Sequence, residues 1–176
     1  MAYAVTAGLD AAGTKGLAHL RAVLTAAGVP EPATGLGFRP NLTLAVYEDL
    51  DEPTAIAALD RIALQTPLLP ALFAGVAVFP GRAANLWAAP SPDPRLLVLQ
   101  RAVRAAIAGQ IWELYRPEVW VPHCTLATNL DPAHIGAATQ AATQAWTPFE
   151  GVFVTLDLVR FAPIDVLWQR DLQSEA

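Results

Sequence analysis

Two similar hexapeptides, Pro40-Asn41-Leu42-Thr43-Leu44-Ala45 and Pro122-His123-Cys124-Thr125-Leu126-Ala127, lie one in the middle of each half of the chain. Four of the six positions are identical. Because successive side chains of a strand face opposite ways, each copy presents two polar groups on one face and apolar groups on the other. The polar set is Asn41, Thr43, His123 and Thr125, and the apolar set is Leu42, Leu44, Cys124 and Leu126.

The polar set predicts a phosphate site if a pseudo-twofold axis relates the two halves of the chain. The two polar pairs would then meet across one groove, with two hydroxyls, an amide and an imidazole. Hydroxyls and amides donate hydrogen bonds to phosphate oxygens, and a histidine can transfer a proton near neutral pH without a metal. The apolar set, including Cys124, is expected in the core, so a nucleophilic or metal-binding role for the cysteine is not expected.

Hydrophobic periodicity around the hexapeptides predicts the element order β-α-β-α-β-β-α-β-α-β-β. We predict strands at residues 2–9, 41–47, 68–79, 84–89, 119–127, 152–161 and 164–170, and helices at 11–27, 53–65, 93–109 and 131–145. Asp51, Asp93 and Asp131 are the expected helix caps. Such alternation also occurs in doubly wound parallel sheets, but no Gly-rich phosphate loop follows any predicted strand.

Composition narrows the classes of protein to which the chain can belong. With 176 residues, 54% apolar, the chain can bury a core. A formal charge of −5 and the lack of a basic run argue against binding an extended nucleic-acid duplex, while one nucleotide or RNA end needs only local donors. A single cysteine excludes an intrachain disulfide. Residues 1–8 lack signal-peptide features and no apolar stretch is long enough to span a bilayer, so we expect a cytoplasmic protein with no membrane partner.

The repeated motif resembles the signature of the 2H phosphoesterase superfamily, which includes 2′-5′ RNA ligase and 2′,3′-cyclic phosphodiesterase. That signature is a His-x-Thr motif placed once in each half, after a proline. The resemblance covers nearly the whole chain. It includes the 82 positions between Asn41 and His123, and a Val78-Phe79-Pro80 turn followed by the Leu86-Trp87 strand.

The resemblance implies an α+β fold of two pseudo-symmetric lobes, with antiparallel sheets lining a central cleft and helices packed outside, in one domain over residues 1–176. It implies metal-independent opening of a 2′,3′-cyclic phosphate, or formation or cleavage of a 2′-5′ linkage, with no cofactor. The partner would be an RNA end or a small nucleotide carrying a cyclic phosphate. By position, His123 is the proton-transfer residue, and Thr43 and Thr125 hold the phosphate.

Asn41 departs from the pattern, because the superfamily has histidine there. An amide can bond a phosphate oxygen but cannot take up a proton at neutral pH. One positioned proton-transfer group contributes about 10²- to 10⁴-fold, or roughly 3–5 kcal/mol of barrier. We therefore expect impaired rather than absent activity. Thr128 is a second departure, since similar proteins often carry a basic residue soon after the second motif.

Three further residues are candidates for binding the substrate. Phe79 ends a strand beside a Pro-Gly turn, where its ring could stack on a nucleobase. Arg39 and Arg82 flank the first motif and that turn, and are candidates for contacting phosphate. The plainer interpretations are core packing for the aromatic residues, Phe38 and the tryptophans included, and solvated surface positions for the arginines.

Two other functions remain open from the sequence. A binding module would keep the threonines and capture a nucleotide or RNA end without turnover, because Asn41 cannot act as an acid or base. In a purely structural protein the cleft would be a relic. A single Pro-His-x-Thr segment would favour a structural histidine, and the second copy is what favours chemistry at His123.

Overall fold

A computed structural model describes residues 2–29, 39–161 and 163–174. Within these ranges the chain forms seven strands and four helices, with a short 3-10 turn at Glu113–Tyr115. The strands are β1 Ala2–Leu9, β2 Asn41–Tyr47, β3 Leu69–Phe79, β4 Ala84–Pro90, β5 Cys124–Leu130, β6 Phe149–Phe161 and β7 Asp165–Asp171. The helices are α1 Ala11–Ala26, α2 Glu52–Ala63, α3 Pro94–Ala106 and α4 Pro132–Gln144.

All four helices begin at an aspartate whose carboxylate accepts a hydrogen bond from a backbone N–H of the first turn. The caps are Asp10, Asp51, Asp93 and Asp131. In the last three helices a proline follows within the first turn, where its missing N–H costs no helical hydrogen bond. The predicted caps are therefore confirmed, and each predicted helix differs from the observed one by at most three residues at either end.

The strands form one antiparallel sheet in the order β2-β1-β6-β3-β4-β5, with β7 also paired to β6. The long strand β6 links the β2-β1 pair to the β3-β4-β5 strands. Its start pairs with β3, while its remainder lies between β1 and β7. Helix α1 contacts α4, and α2 contacts α3, on the outside of the sheet. The expected α+β fold with antiparallel strands is confirmed.

The alternation predicted for the hexapeptides is also confirmed. The apolar set (Leu42, Leu44, Cys124, Leu126) has no exposed surface. The polar set (Asn41, Thr43, His123, Thr125) is half-buried. Burial also raises the pKa of the Cys124 thiol far above its ordinary value, as expected for a cysteine in the core.

The predicted strand at 119–127 is wrong in its first half, because β5 begins only at Cys124. The backbone N–H groups of Val119 and Trp120 donate to the Arg116 carbonyl and so form a turn. Pro122 has no N–H to give to a ladder. His123 therefore lies immediately before β5 rather than within it. Phe38 and most of the loop before Arg39 lie outside the described residues.

Candidate active site

The two hexapeptides fold into the same irregular strand. In β2, Ala45 pairs with Val5 and Thr43 with Thr6, so that Leu44 is a bulge residue without a partner. In β5, Ala127 pairs with Leu86 and Thr125 with Trp87, which makes Leu126 the corresponding bulge. A bulge disrupts the ladder and re-aims neighbouring side chains. The repeat in the sequence is thus a repeat in backbone geometry around both motif threonines.

The motif strands lie side by side although they are at opposite ends of the hydrogen-bonded strand order. Strand β2 has Cα atoms within 8 Å of β5, so the sheet curls until these two strands meet. One hydrogen bond crosses this contact: the indole Nε1 of Trp120, just before β5, donates to the Thr43 carbonyl over 3.0 Å. The curl is what brings the two halves of the predicted site together.

A second side chain holds the other motif threonine. Arg21 of α1 is buried, and its Nη2 and Nε donate to the Thr125 carbonyl over 2.7 and 3.3 Å. Burial lowers the pKa of this guanidinium, which nevertheless stays charged since arginine titrates so far above neutrality. Each bulged strand therefore has its threonine carbonyl bonded by a side chain from the other half of the sequence.

Asn41 makes two local hydrogen bonds. Its amide Nδ2 donates to the Arg39 carbonyl over 2.9 Å, and its Oδ1 accepts from the Thr43 hydroxyl at 3.4 Å. The residue therefore fixes the backbone at the start of β2 and orients the motif threonine.

A polar floor extends from Asn41 across β1 and β6. Asp157 has no exposed surface, and both of its carboxylate oxygens accept from Arg39 Nη2 at 2.9 Å. Thr6 and Gln169 donate to the same carboxylate, and Thr155 bonds the guanidinium. Gly8 of β1 pairs with Asn41 on one side and Thr155 on the other, and a Cβ at this position would collide with the Arg39 and Thr155 side chains. Arg39 is thus committed to a buried ion pair, with about a third of its side chain exposed.

His123 lies in an aromatic environment. Its Nδ1 is 2.7 Å from the Val121 carbonyl. Because a carbonyl can only accept, Nδ1 carries the proton and Nε2 is the basic nitrogen. The Phe79 ring lies edge-on at 4.9 Å between centroids, stacked in turn on Trp87 at 4.8 Å. Burial lowers the pKa of His123, partly offset by the Val121 hydrogen bond, so the ring is neutral at pH 7.

The structure thus brings most of the predicted residues together. Asn41, Thr43 and Arg39 lie at the start of β2, while His123, Thr125 and Phe79 lie around β5. Arg82 is different. It is exposed in the turn after Phe79, and no described hydrogen bond or ion pair connects it to the cleft.

Sequence reasoning missed several polar residues of the cleft. Asp157 had a usable signal, since a carboxylate between Leu156 and Leu158 in an apolar strand requires a buried partner. Trp87 was assigned to the core, and it is indeed buried, but it also contacts the His123 ring at 5.8 Å. Arg21, which donates to the Thr125 carbonyl, had no signal, because nothing in the sequence places residue 21 beside residue 125.

Among the described residues no group of three or more His, Cys, Asp or Glu side chains is arranged to hold a metal ion. None of the described helices has the length and apolar character that crossing a bilayer requires.

A profile of the 2′-5′ RNA ligase superfamily matches residues 42–163, more than half of the chain. The chain belongs to the 2′-5′ RNA ligase superfamily. The match begins one position after Asn41. No curated protein matched the sequence.

Solved structures agree on the fold. E. coli LigT complexed with 3′-AMP is 20% identical, with a TM-score of 0.63 over 97% of both chains. E. coli LigT complexed with NADP+ is 18% identical, with a TM-score of 0.56 over 97% of this chain and 96% of LigT. Kluyveromyces marxianus Usb1 is 12% identical, with a TM-score of 0.54 over 94% of this chain and 97% of Usb1. At such identities the likeness shows the shared fold.

Proposed function

We propose that this chain is a metal-independent phosphoesterase that opens 2′,3′-cyclic phosphates or cleaves 2′-5′ phosphodiesters at an RNA end or in a small nucleotide. Membership of the 2′-5′ RNA ligase superfamily supports a phosphoesterase-type function. The similar structures of LigT with 3′-AMP and of Usb1 with uridine monophosphate support a nucleotide ligand. We place the activity in the cytoplasm.

One observation carries the proposal. His123 has a defined tautomer with Nε2 basic, and it lies immediately before β5, the strand that lies against the other copy of the motif. We assign His123 as the base that removes a proton from the attacking water. Thr43 and Thr125, which each lie immediately before the bulge residue of their strand, would donate to the phosphate oxygens. Asn41 would add an amide N–H but no proton transfer, so the activity is impaired relative to a site with two histidines.

Substrate binding completes the proposal. Phe79 would stack on the base of the nucleotide, next to His123. The exposed part of Arg39 would attract the phosphate, although its ion pair with Asp157 offsets most of its charge. Arg82, exposed beyond Phe79, would contact a following phosphate of a longer RNA end.

A second candidate is a binding module for nucleotides or RNA ends. It is favoured by the hydrogen bonds of Asn41, which are those of a residue that fixes its own backbone. Both candidates use the same cleft and the same ligands, so turnover is what separates them.

The test is incubation with 2′,3′-cyclic nucleotides and 2′-5′-linked dinucleotides in EDTA, with product followed by chromatography. We expect slow turnover that EDTA does not change. Saturable binding without product would refute the proposed enzymatic activity and support the binding module instead. Turnover that EDTA abolishes would refute the metal-independent mechanism.

A further inference from the structure

Arg21 is a buried cation behind the second motif. It lies on α1, is 7% exposed, and donates through Nη2 and Nε to the Thr125 carbonyl over 2.7 and 3.3 Å. Because the carbonyl and the hydroxyl of Thr125 belong to one residue, bond lengths keep Arg21 Nη2 within about 7 Å of that hydroxyl. A phosphate oxygen bonded to the hydroxyl lies about 3 Å further away. The guanidinium is therefore close enough to attract a phosphate in the cleft.

The described part of the chain does not neutralise the charge of Arg21. The guanidinium forms no ion pair with any described Asp or Glu side chain. Cys124, the neighbour of Thr125, does not supply a thiolate either, because burial raises the pKa of its thiol far above the ordinary value. A carbonyl satisfies the N–H groups of the guanidinium but not its charge, and buried charges in proteins are normally paired. An anionic ligand would supply the missing negative charge.

Arg39, the other guanidinium beside the motifs, differs from Arg21 in this respect. Its Nη2 bonds both carboxylate oxygens of the buried Asp157, so the two charges largely cancel. His123 is neutral at pH 7 because burial lowers its pKa, and Asn41 has no charge. Among the described residues of the motifs and the polar floor, Arg21 is thus the source of net positive charge.

We propose that Arg21 is a positioning residue that supplies the positive charge for holding a phosphate in the cleft, and that it favours phosphates with two negative charges over those with one. The inference rests on the proposed phosphoesterase function. It adds a preference for the dianion of a phosphate monoester, which is the product of opening a cyclic phosphate.

The same charge would act during the reaction. When His123 Nε2 takes a proton from water and the water oxygen bonds to phosphorus, the phosphoryl group goes from one negative charge to two. The bond from phosphorus to one ribose oxygen then breaks. That oxygen takes a proton from solvent, since Asn41 has none to give, and the imidazolium returns its proton to solvent. Coulomb attraction is proportional to charge, so Arg21 would stabilise the transition state and the product more than the substrate.

Three ligands of increasing charge test this inference without turnover. 2′-Deoxyadenosine, its 3′-methylphosphate and its 3′-phosphate carry zero, one and two negative charges at pH 8, and none has the 2′ hydroxyl that forms a cyclic phosphate. In the parent we expect the Kd, measured by calorimetry, to fall with each added charge. Two unit charges roughly 10 Å apart at an effective dielectric constant of about 20 change a Kd about 10-fold.

Arg21→Gln keeps an amide that can donate to the Thr125 carbonyl but removes the charge. We expect it to raise the Kd of the monoanion about 10-fold and that of the dianion about 10²-fold, and to change that of the neutral ligand less than about 2-fold. Lys15→Gln is the matched control, because it removes an exposed charge from the same helix. It should change each Kd less than about 2-fold, since solvent and salt screen an exposed charge.

Arg21→Lys is a second variant, with a charge that pH can remove. Burial lowers the pKa of a lysine, whereas arginine stays protonated. We expect the Kd of the 3′-phosphate for Arg21→Lys to rise between about pH 7 and pH 10, where the ligand remains a dianion. The parent should show no such rise, and the neutral ligand should show none with either protein.

The outcomes separate this inference from the proposed function. Equal weakening of all three ligands by Arg21→Gln would show a purely structural role for Arg21 and would overturn the inference, as would a parent whose Kd does not depend on ligand charge. Both results leave the phosphoesterase standing if the parent turns over substrate. The expected dependence on charge without turnover on any cyclic or 2′-5′ substrate would refute the phosphoesterase and support Arg21 as the partner of a bound phosphate.

Discussion

The two halves of the cleft share a backbone but differ in chemistry. Around β2 the side chains are polar, with an ion pair between Arg39 and the buried Asp157 and the hydroxyls of Thr6, Thr43 and Thr155. Around β5 they are aromatic, with His123 packed against Phe79 and Trp87. The repeated bulge fixes where side chains point, and the neighbouring strands decide what they meet.

This difference shows how two strands with the same backbone geometry can provide different chemical environments in one cleft. An aromatic environment desolvates His123 and favours its neutral form, which is the form a base requires. A polar environment can hold a phosphate through hydrogen bonds. We expect substitutions in the aromatic half to change proton removal and base stacking, and substitutions in the polar half to change stability and phosphate binding.

The largest expected effect is at the base itself. His123→Gln keeps a side chain that can bond the Val121 carbonyl but cannot accept a proton near neutral pH. We expect kcat on a 2′,3′-cyclic nucleotide to fall about 10²- to 10⁴-fold with unchanged thermal unfolding. His19→Gln, which alters an exposed histidine of α1, is the control and should leave kcat unchanged. A His123→Gln protein within a few-fold of the parent would remove His123 from the mechanism.

The next effect is on stability, in the polar half. Arg39→Met leaves the Asp157 carboxylate buried with only neutral donors, and removing one partner of a buried ion pair costs roughly 3–5 kcal/mol. Because Arg39 is partly exposed, we expect about 3 kcal/mol, measured by urea unfolding. The exposed Arg82→Met should stay within about 0.5 kcal/mol of the parent. Equal stability of both variants would show that the ion pair does not hold the polar floor.

A smaller effect is expected on nucleotide affinity, in the aromatic half. Phe79→Leu keeps an apolar contact to Trp87 but removes the ring on which a base would stack. We expect the Kd for 3′-AMP, measured by calorimetry, to rise about 10-fold, within the range of one base-aromatic contact. Ribose 3-phosphate, which has no base, serves as the matched ligand and should bind both proteins equally. If the substitution weakened the binding of both ligands equally, the loss of affinity would come from a change in cleft shape and not from lost stacking.

The smallest effect is the pH dependence of stability that comes from His123. Its folded pKa is below the ordinary value of 6.5, so between the two pKa values the unfolded chain binds a proton that the folded protein does not. Stability therefore falls as the pH decreases from about 6.5 towards the folded pKa. We expect His123→Gln to have a shallower slope of unfolding free energy between pH 7 and pH 5. A slope identical to that of the parent would mean that His123 titrates normally.

The sequence predicted most of the fold because its signals were local. Aspartate caps followed by proline, a Pro-Gly turn and alternating strands each depend on a few adjacent residues. The prediction that the fifth strand begins at residue 119 was wrong because the local sequence pattern there conflicts with a tertiary contact. Val119 and Val121 continue the strand-like alternation of that segment, yet Trp120 is drawn out of it by its bond to the Thr43 carbonyl.

The site was predictable only as far as the repeat reached. The alternation of side chains along a strand predicted which face Thr43 and Thr125 occupy. The repeat itself suggested that both residues line the same cleft. The partners of these residues could not be predicted, because Arg21 lies 104 positions from Thr125 and Trp120 lies 77 positions from Thr43. Contacts of that span depend on how the sheet curls, which no short segment encodes.

The two hydrogen bonds that hold the threonine carbonyls also set an order of events during synthesis. Trp120 is synthesised 77 positions after its partner Thr43, and Thr125 is synthesised 104 positions after its partner Arg21. Strand β6, which lies between β1 and β3, emerges from the ribosome later still. The first half of a nascent chain therefore exposes the unpaired inner edge of β1 until residues 149–161 are made. Contacts of such long sequence separation form late, so the cleft is completed only near the end of folding.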